Sequence, residues 1–347
     1  MERLPEYIRR LTWGSKLYYF NELDICVHKK QNHFCIIKCS TGETTKVSLQ
    51  HVYQFMACNK TNKLFFVRIT HGKLDYTKPY GGVKSYLHFY VYDLSNGLYK
   101  KSKAFSRPTP LGEWMSSFIS EDEDIATVIN CNGDVFTVGI DTLEVKMVMC
   151  LGELVEDVNQ FFRKPWYKTG LNVYETDVSR QRQWYEEKPD SSQNSDYLFA
   201  KIDLANKTLE CRAGQGGPYD TSVFLEAIGI WVHHKPNNYN RLKASSFFFD
   251  IRKNDEIIWQ FEIPCKPDDG RLFGEFKNNI ASFSENIFVI CFTKMIYLCN
   301  LQDLSLENIS FGTGMADVFY DKGKGHIIPV YFAGTTEDMI TLDDFSC

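Results

Sequence analysis

The sequence predicts an all-β fold in which seven units of about fifty residues, each a four-stranded antiparallel sheet, close into one ring. Three observations carry that expectation. A pair of strands joined by a polar turn recurs six times along the 347 residues. The runs that form the strands are short, rich in β-branched and aromatic residues, and bounded by Gly, Asn, Asp or Pro, which favours strand over helix. A seventh, incomplete copy stands at the C-terminus.

The six copies are HFCIIKCSTGETTKVSL from His33, LHFYVYDLSNGLYKKSK from Leu87, DVFTVGIDTLEVKMVMC from Asp134, YLFAKIDLANKTLECRA from Tyr197, SFFFDIRKNDEIIWQFEI from Ser246 and KMIYLCNLQDLSLENISF from Lys294. In their turns, Asp or Asn side chains can bond backbone amides two residues on, and Asn or Gly tolerates positive φ. DLSNG, DLANK and RKNDE are therefore competent hairpin connections. Ahead of each copy lies another apolar run, read as the preceding strand: DICVHK, KLFFVRI, DIATVIN, LNVYET, GIWVHHK and IFVICF. Innermost strands are expected at KLYYF, QFMAC, WMSSFI, VFLEA and FGEF.

The incomplete copy consists of ADVFYD, HIIPVYFAG and DMITLDDF and lacks one strand. Residues 1–14 supply it in this reading, with Leu4–Trp13 clasping the last unit, so that no edge strand of an open array is left as a template for aggregation. Leu4, Ile8 and Leu11 also stand at helical spacing, so a short helix is the alternative for this segment, and six units plus a cap the alternative count. Residues 1–347 read as one domain, because closed repeat architectures reach this length without a boundary.

Hydrophobic residues make up 44% of the chain and aromatics 15%, enough to fill a large interior. The net charge of -5 arises from 39 basic and 44 acidic residues without a run of five like charges, which disfavours nonspecific nucleic-acid binding. The opening MERLPEYIRR is charged where a secretory signal needs an apolar core, and no apolar stretch approaches a membrane span. A cytoplasmic or nuclear location, without secretion, is expected. Eleven cysteines, scattered in apolar segments such as HFCIIKC, FVICF and IYLCN, read as reduced, buried thiols, and no CxxC pair suggests a zinc or redox site.

A four-stranded unit whose aromatic third strand runs into an Asp turn, as in HFYVYDLSNG, resembles the β-propeller superfamily, especially kelch-like and WD-repeat proteins, over essentially the whole chain. No WD dipeptide closes any unit, and Gly81-Gly82 and Gly216-Gly217 stand outside the kelch register, so the resemblance is architectural. It implies a binding scaffold, since most propellers of this kind organise complexes.

In a propeller so read, connections between second and third strands share one face, and three of them are long: from His71, from Val178 (an inserted loop over 178–195 in the fourth blade) and from His234. Together they would display Tyr76, Tyr80, Trp184, Tyr185, His234, Tyr239 and Arg241, and Tyr, Trp and Arg are enriched at interface hot spots. A second recurrence, LGEW, LGEL and FGEF, puts Glu113, Glu153 and Glu275 near the expected starts of innermost strands, with Asp220 and Asp317 in comparable places. They form an expected acidic rim around the central channel, suited to a basic peptide segment. From Leu151, however, Leu154, Val155, Val158, Phe161 and Phe162 follow a helical period, and a helix there would carry Glu153 off the rim.

His233-His234 is the one adjacent histidine pair, but neighbours on a strand point to opposite faces and do not readily chelate one ion; a strand end is expected there, and no metal. HExxH, GxSxG and phosphate-loop motifs are absent. The function expected is a non-catalytic protein-interaction scaffold, a subunit of a multi-protein complex that needs no cofactor and binds a partner peptide or domain through the long-loop face. Two alternatives stand beside it: a hydrolase or lyase using channel-mouth carboxylates such as Glu113 and Glu275, and an RNA-associated propeller stacking bases on loop aromatics.

Overall fold

The protein is described by a computed structural model over residues 16–29, 33–50, 52–71, 84–103, 105–108, 115–130, 133–154, 165–177, 197–214, 221–237, 245–264, 280–292, 294–310, 315–321, 325–331, 340–341 and 345. The first sheet holds β1 (Lys16–Phe20), β2 (Ile25–Lys29), β3 (Phe34–Lys38) and β4 (Thr44–Val47). The second holds β5 (Val52–Cys58), β6 (Lys63–His71), β7 (Lys84–Asp93) and β8 (Tyr99–Lys101), with β9 (Phe105–Pro108) added against β7. The third is β10 (Ser116–Ile119), β11 (Ile125–Ile129), β12 (Val135–Gly139) and β13 (Val145–Met149). The fourth is β14 (Tyr167–Gly170), β15 (Val173–Asp177), β16 (Tyr197–Asp203) and β17 (Thr208–Gly214). The fifth is β18 (Thr221–Leu225), β19 (Ile230–Pro236), β20 (Ser246–Lys253) and β21 (Glu256–Pro264). The sixth is β22 (Ile280–Ser282), β23 (Ile287–Cys291), β24 (Met295–Asn300) and β25 (Ser305–Ser310), and a last sheet of three strands holds β26 (Met315–Asp321), β27 (His326–Tyr331) and β28 (Ile340–Thr341).

All six repeated copies therefore form the third and fourth strands of a sheet, and the apolar runs before them form the second. Three details differ from the sequence reading. FGEF lies outside the described residues, and the described first strand of the sixth sheet is Ile280–Ser282. β14, a short YKTG segment without an apolar run, was not foreshadowed. Nor was β9, which exists because the outer edge of the second sheet is broken at Ser102. The Ser102 amide bonds Phe89 O at 2.8 Å, and its hydroxyl accepts the Phe89 N–H at 2.9 Å, replacing one backbone acceptor of the ladder.

The turns between third and fourth strands have the expected chemistry. Asp93 accepts the Ser95 N–H at 2.8 Å and Asp203 the Ala205 N–H at 2.9 Å, two residues on in each case. Asn254 and Asp255 both hold positive φ, 49° and 68°, the signature of a two-residue hairpin whose twist matches its strands.

The core lies between the sheets, in layers. Side chains of β6 alternate, so Leu64 and Phe66 pack with Phe34, Ile36 and Val47 of the first sheet, while Phe65, Val67 and Ile69 pack with Ala126, Val128 and Val138 of the third. Further layers join the third sheet to the fourth (Ile129, Val135, Tyr174, Ile202) and the fourth to the fifth (Phe199, Trp231). The fifth meets the sixth through Phe247, Phe249, Phe288 and Ile290, and the sixth meets the last through Val289, Cys291, Val318 and Ile327. Phe55 centres the first layer, with ring centroids 4.5 Å from Tyr18, 5.5 Å from Phe34 and 5.8 Å from Phe66. First strands of different sheets also touch: β5 with β10, β14 with β18, β18 with β22, and β1 with β26.

Because neighbouring strands in each sheet are antiparallel and consecutive, turns after first and third strands emerge at one end, the turn end. Connections after second strands and between sheets emerge at the other, the loop end. At the turn end successive sheets are tied by polar bonds. Glu123, in the β10–β11 turn, is buried and accepts the backbone N–H groups of Lys60 and Thr61, both at 2.9 Å, and the Thr61 hydroxyl at 3.1 Å. Burial opposes its ionisation, but these three donors outweigh that and hold the carboxyl below its ordinary value. Asn59 donates to Glu22 of the first sheet, Lys63 pairs with Asp141 at 2.5 Å, and Arg212 pairs with Asp255 at 2.6 Å.

The Glu123→Ala variant loses three hydrogen bonds to a charged group, so urea unfolding should give a stability lower by about 2–3 kcal/mol. The depressed carboxyl contributes only where it is ionised, so the gap between wild type and variant should narrow as pH falls below 4.5. A gap that is absent at neutral pH, or constant down to acid pH, removes this latch from the account.

Candidate interaction surface

At the loop end the described strand termini frame the three long connections. The one after β19 is closed at its neck by Asn237. Its N–H bonds Ser246 O at 3.0 Å, its amide nitrogen donates to Ser245 Oγ at 2.8 Å, and its amide oxygen accepts the Ser245 N–H at 3.0 Å. The connection is shorter than the sequence suggests, because Lys235 and Pro236 pair in register with Phe248 and Phe247 and extend β19. The neck of the β6–β7 connection is held by a Thr70 Oγ1 to His88 Nε2 contact of 3.1 Å between the two strands. Asn237 and Ser245 were missed in the sequence; an Asn beside a polar, Asn-rich stretch is the signal that could have found them.

The expected contact residues Tyr76, Tyr80, Trp184, Tyr185, Tyr239 and Arg241 lie outside the described residues, as do Glu113, Glu275 and Asp220. Asp317 lies on β26. Glu153 is exposed and ends a 3-10 turn, Leu151–Glu153, just past the outer strand β13 and well ahead of β14. Leu151 is buried in the layer between third and fourth sheets, which turns the chain there; Glu153 thus follows an outer strand instead of opening an inner one.

His234 is a correction. Expected at a partner surface, it is fully buried in the middle of β19, its ring 5.6 Å from that of Phe249 and 6.1 Å from that of Phe247. The strand end expected at His233-His234 falls at Pro236 instead. The two rings do take opposite faces, since His233 packs toward the fourth sheet against Phe199 and stacks on Trp231 at 5.7 Å and 7°. Among the described residues, no group of three or more His, Cys, Asp or Glu is placed to hold a metal ion.

Ser222, His233 and Asp250 are cross-strand neighbours on β18, β19 and β20, a row of residue types that elsewhere performs nucleophilic catalysis. Here His233 Nδ1 lies 2.7 Å from Ser222 Oγ, and Asp250 accepts Gln260 Nε2 at 2.8 Å. Exposures of 6%, 1% and 6% seal the row from solvent and from any substrate. Burial, then the charge of Arg252 and the neighbouring His234, pushes His233 down to about 3, so the ring is neutral at physiological pH. Tyr167 reaches across from the fourth sheet, its hydroxyl donating to Ser222 O at 3.1 Å. The row is a polar pin in the wall behind the loop end. Cys26, Cys58, Cys291 and Cys299 are buried as expected, whereas Cys35, Cys39 and Cys150 are only half-buried and Cys211, on the outer strand β17, is exposed. Burial raises the thiols of Cys26, Cys58 and Cys299, that of Cys58 to about 12. Among the described residues no helix is long and apolar enough to cross a membrane.

No family model matches the chain, and no curated protein matches it. Solved structures do. The Cps50 (Swd1) β-propeller domain of Myceliophteria thermophila aligns with a TM-score of 0.53 and 9% identity, over 96% of this chain and 98% of that one. The C-terminal WD40 domain of Sif2 aligns at 0.46 and 10% identity, over 90% of this chain and 76% of that one. The tricorn protease aligns at 0.47 and 11%, over 93% of this chain and 33% of its own. The chain folds as a β-propeller, as its resemblance in the sequence implied.

His233 is neutral when folded, with its folded value of about 3 well below the ordinary 6.5, so protons favour the unfolded chain over that interval. Stability measured by denaturant should fall as pH is lowered from 6.5, and His233→Phe, which keeps a ring on Trp231 but loses the bond to Ser222, should show a shallower fall from a lower plateau. Equal pH slopes in the two proteins would assign the titration elsewhere.

Proposed function

We propose that the chain is a non-catalytic scaffold that binds a partner peptide or domain at its loop end within a multi-protein complex. The observation that carries this reading is the way the sheets are used. Both faces of the inner strands are consumed by packing between sheets, so recognition falls to the strand ends and their connections. Three connections at the loop end are long and carry Tyr76, Tyr80, Trp184, Tyr185, Tyr239 and Arg241, types that dominate interface energetics. The sealing of the Ser222, His233 and Asp250 row removes the most enzyme-like described constellation from contention. An acidic rim of Glu113 and Glu275, without Glu153, which follows an outer strand, remains part of the reading as a secondary surface for a basic segment, and a cytoplasmic or nuclear setting is the one it implies.

The reading includes a closed ring of seven blades. The contact of β1 with β26 supports closure, and in this reading residues 1–14 supply a fourth strand beside the three described in the last sheet. A protein lacking residues 1–13 should then melt several degrees lower, at roughly the scale of losing a strand pairing in a large domain. An unchanged melting temperature rejects the clasp.

Affinity purification with mass spectrometry, comparing the intact chain with a deletion of Ser179 to Ser195, tests the binding face. The expected result is one stoichiometric partner lost on deletion while the melting temperature stays within a few degrees. Retention of every partner overturns the assignment of the loop end; a conserved absence of partners combined with turnover of a small substrate would favour the enzyme.

A further inference from the structure

At the loop end, between the first and second sheets, lies a cavity of about 310 Å³ lined by His33, Lys46, Ser48, Leu49, Gln50 and Arg68. Its volume is at the small end of the ~300–1,000 Å³ range of ligand pockets, room for one polar group and a short stem. None of these lining residues is acidic, while Lys46 and Arg68 carry permanent charge and His33 can acquire one.

The elements place them by simple rules. His33 immediately precedes β3, Lys46 lies on β4, and Ser48 to Gln50 form the link to β5, all emerging at the same end. Arg68 stands near the loop end of β6, on the face turned to the first sheet, because it alternates with Val67 and Ile69, which face the third. Its guanidinium donates from Nη1 to the Tyr90 hydroxyl at 3.2 Å, which aims the fork, while Nε is buried and bonds to no group among the described residues. The neighbourhood is electropositive beyond the cavity wall. Lys101 sits over the Tyr90 ring at 5.8 Å, and His88, the register partner of Arg68, is held below its ordinary value first by burial and then by Lys101 and Arg68. A half-buried arginine with a spare donor and a flanking lysine, with no carboxylate among the described lining residues, suits a bidentate oxyanion.

We propose that this cavity is an oxyanion site that receives the carboxylate or phosphate of an acidic peptide segment. The proposal does not rest on the binding role given to the long connections. Hydroxyl and amide groups of Ser48 and Gln50 at the rim suit the remaining oxygens, and Leu49 supplies an apolar wall for the stem.

The test is fluorescence anisotropy at low ionic strength with two labelled peptides of equal length, one containing three consecutive glutamates and one a phosphoserine. Inorganic phosphate and a short oligouridylate serve as competitors. The wild type should bind at least one peptide saturably, Lys46→Gln and Arg68→Gln should each weaken it by about tenfold, and Lys253→Gln, an equal charge change on an exposed residue of the fifth sheet, should not. The stronger peptide tells carboxylate from phosphate. If Arg68→Gln fails to fold by circular dichroism, Lys46→Gln decides, since Lys46 is exposed. The proposal is overturned by an absence of saturable binding, by equal weakening in Lys253→Gln, by free phosphate displacing the peptides at their own concentrations, or by oligouridylate binding more tightly through the same two residues.

Discussion

Everything in this molecule depends on the packing of one twisted sheet against the next through a shared apolar layer. A four-stranded sheet with two apolar faces is insoluble alone, and each inner strand here has two such faces. The alternation along β6, with Phe65 and Val67 to one side and Leu64 and Phe66 to the other, gives a single strand membership of two layers. Burying each of these large side chains contributes about 1.5–3 kcal/mol, several times a typical net hydrogen bond, so the layers and not the ladders set the order of the sheets. Consecutive sheets therefore pack on one another, each pair sharing an apolar layer.

Polar groups refine this arrangement where strands end. At the turn end Glu123, Glu22, Asp141 and Asp255 reach from one sheet to the next, fixing the spacing that the apolar layers leave adjustable. Buried polar residues between the fourth and fifth sheets, where the apolar layer is thin, serve the same purpose. Ser222, His233 and Tyr167 supply directional bonds where Phe199 and Trp231 supply area. The loop end has ties of its own: the Trp166 N–H bonds Ser116 Oγ at 2.9 Å, Ser117 Oγ bonds Gln54 Oε1 at 2.8 Å, and the Tyr167 hydroxyl bonds Ser222 O. Strands tied at both ends give their connections a fixed base.

The sequence carried the architecture because its strongest signals are local. Runs such as KLFFVRI and IFVICF are apolar throughout, as strands buried on both sides must be, and turns such as DLSNG and DLANK need only residues a few positions apart. What it did not carry depends on neighbours distant in the chain. YKTG becomes β14 only because β15 and β18 flank it, and FSRP becomes β9 because Ser102 interrupts the edge beside it. His234 read as a surface residue because the long connection is expected to open there, yet β19 runs on to Pro236 and its alternation puts His234 among Phe247 and Phe249. The Arg68 cavity was equally hidden, for His33, Lys46 and Arg68 belong to two different sheets and converge only when those sheets pack.

The Asn237–Ser245 clasp separates two kinds of inheritance within one chain. Below it, β19 and β20 must keep their register, because each residue there also fills a layer shared with another sheet. Above it the sequence runs NYNRLKA over residues 238–244. Under the proposed reading, changes in that short stretch alter what the molecule recognises, while the Asn237–Ser245 bonds keep the base on which a grafted segment would stand.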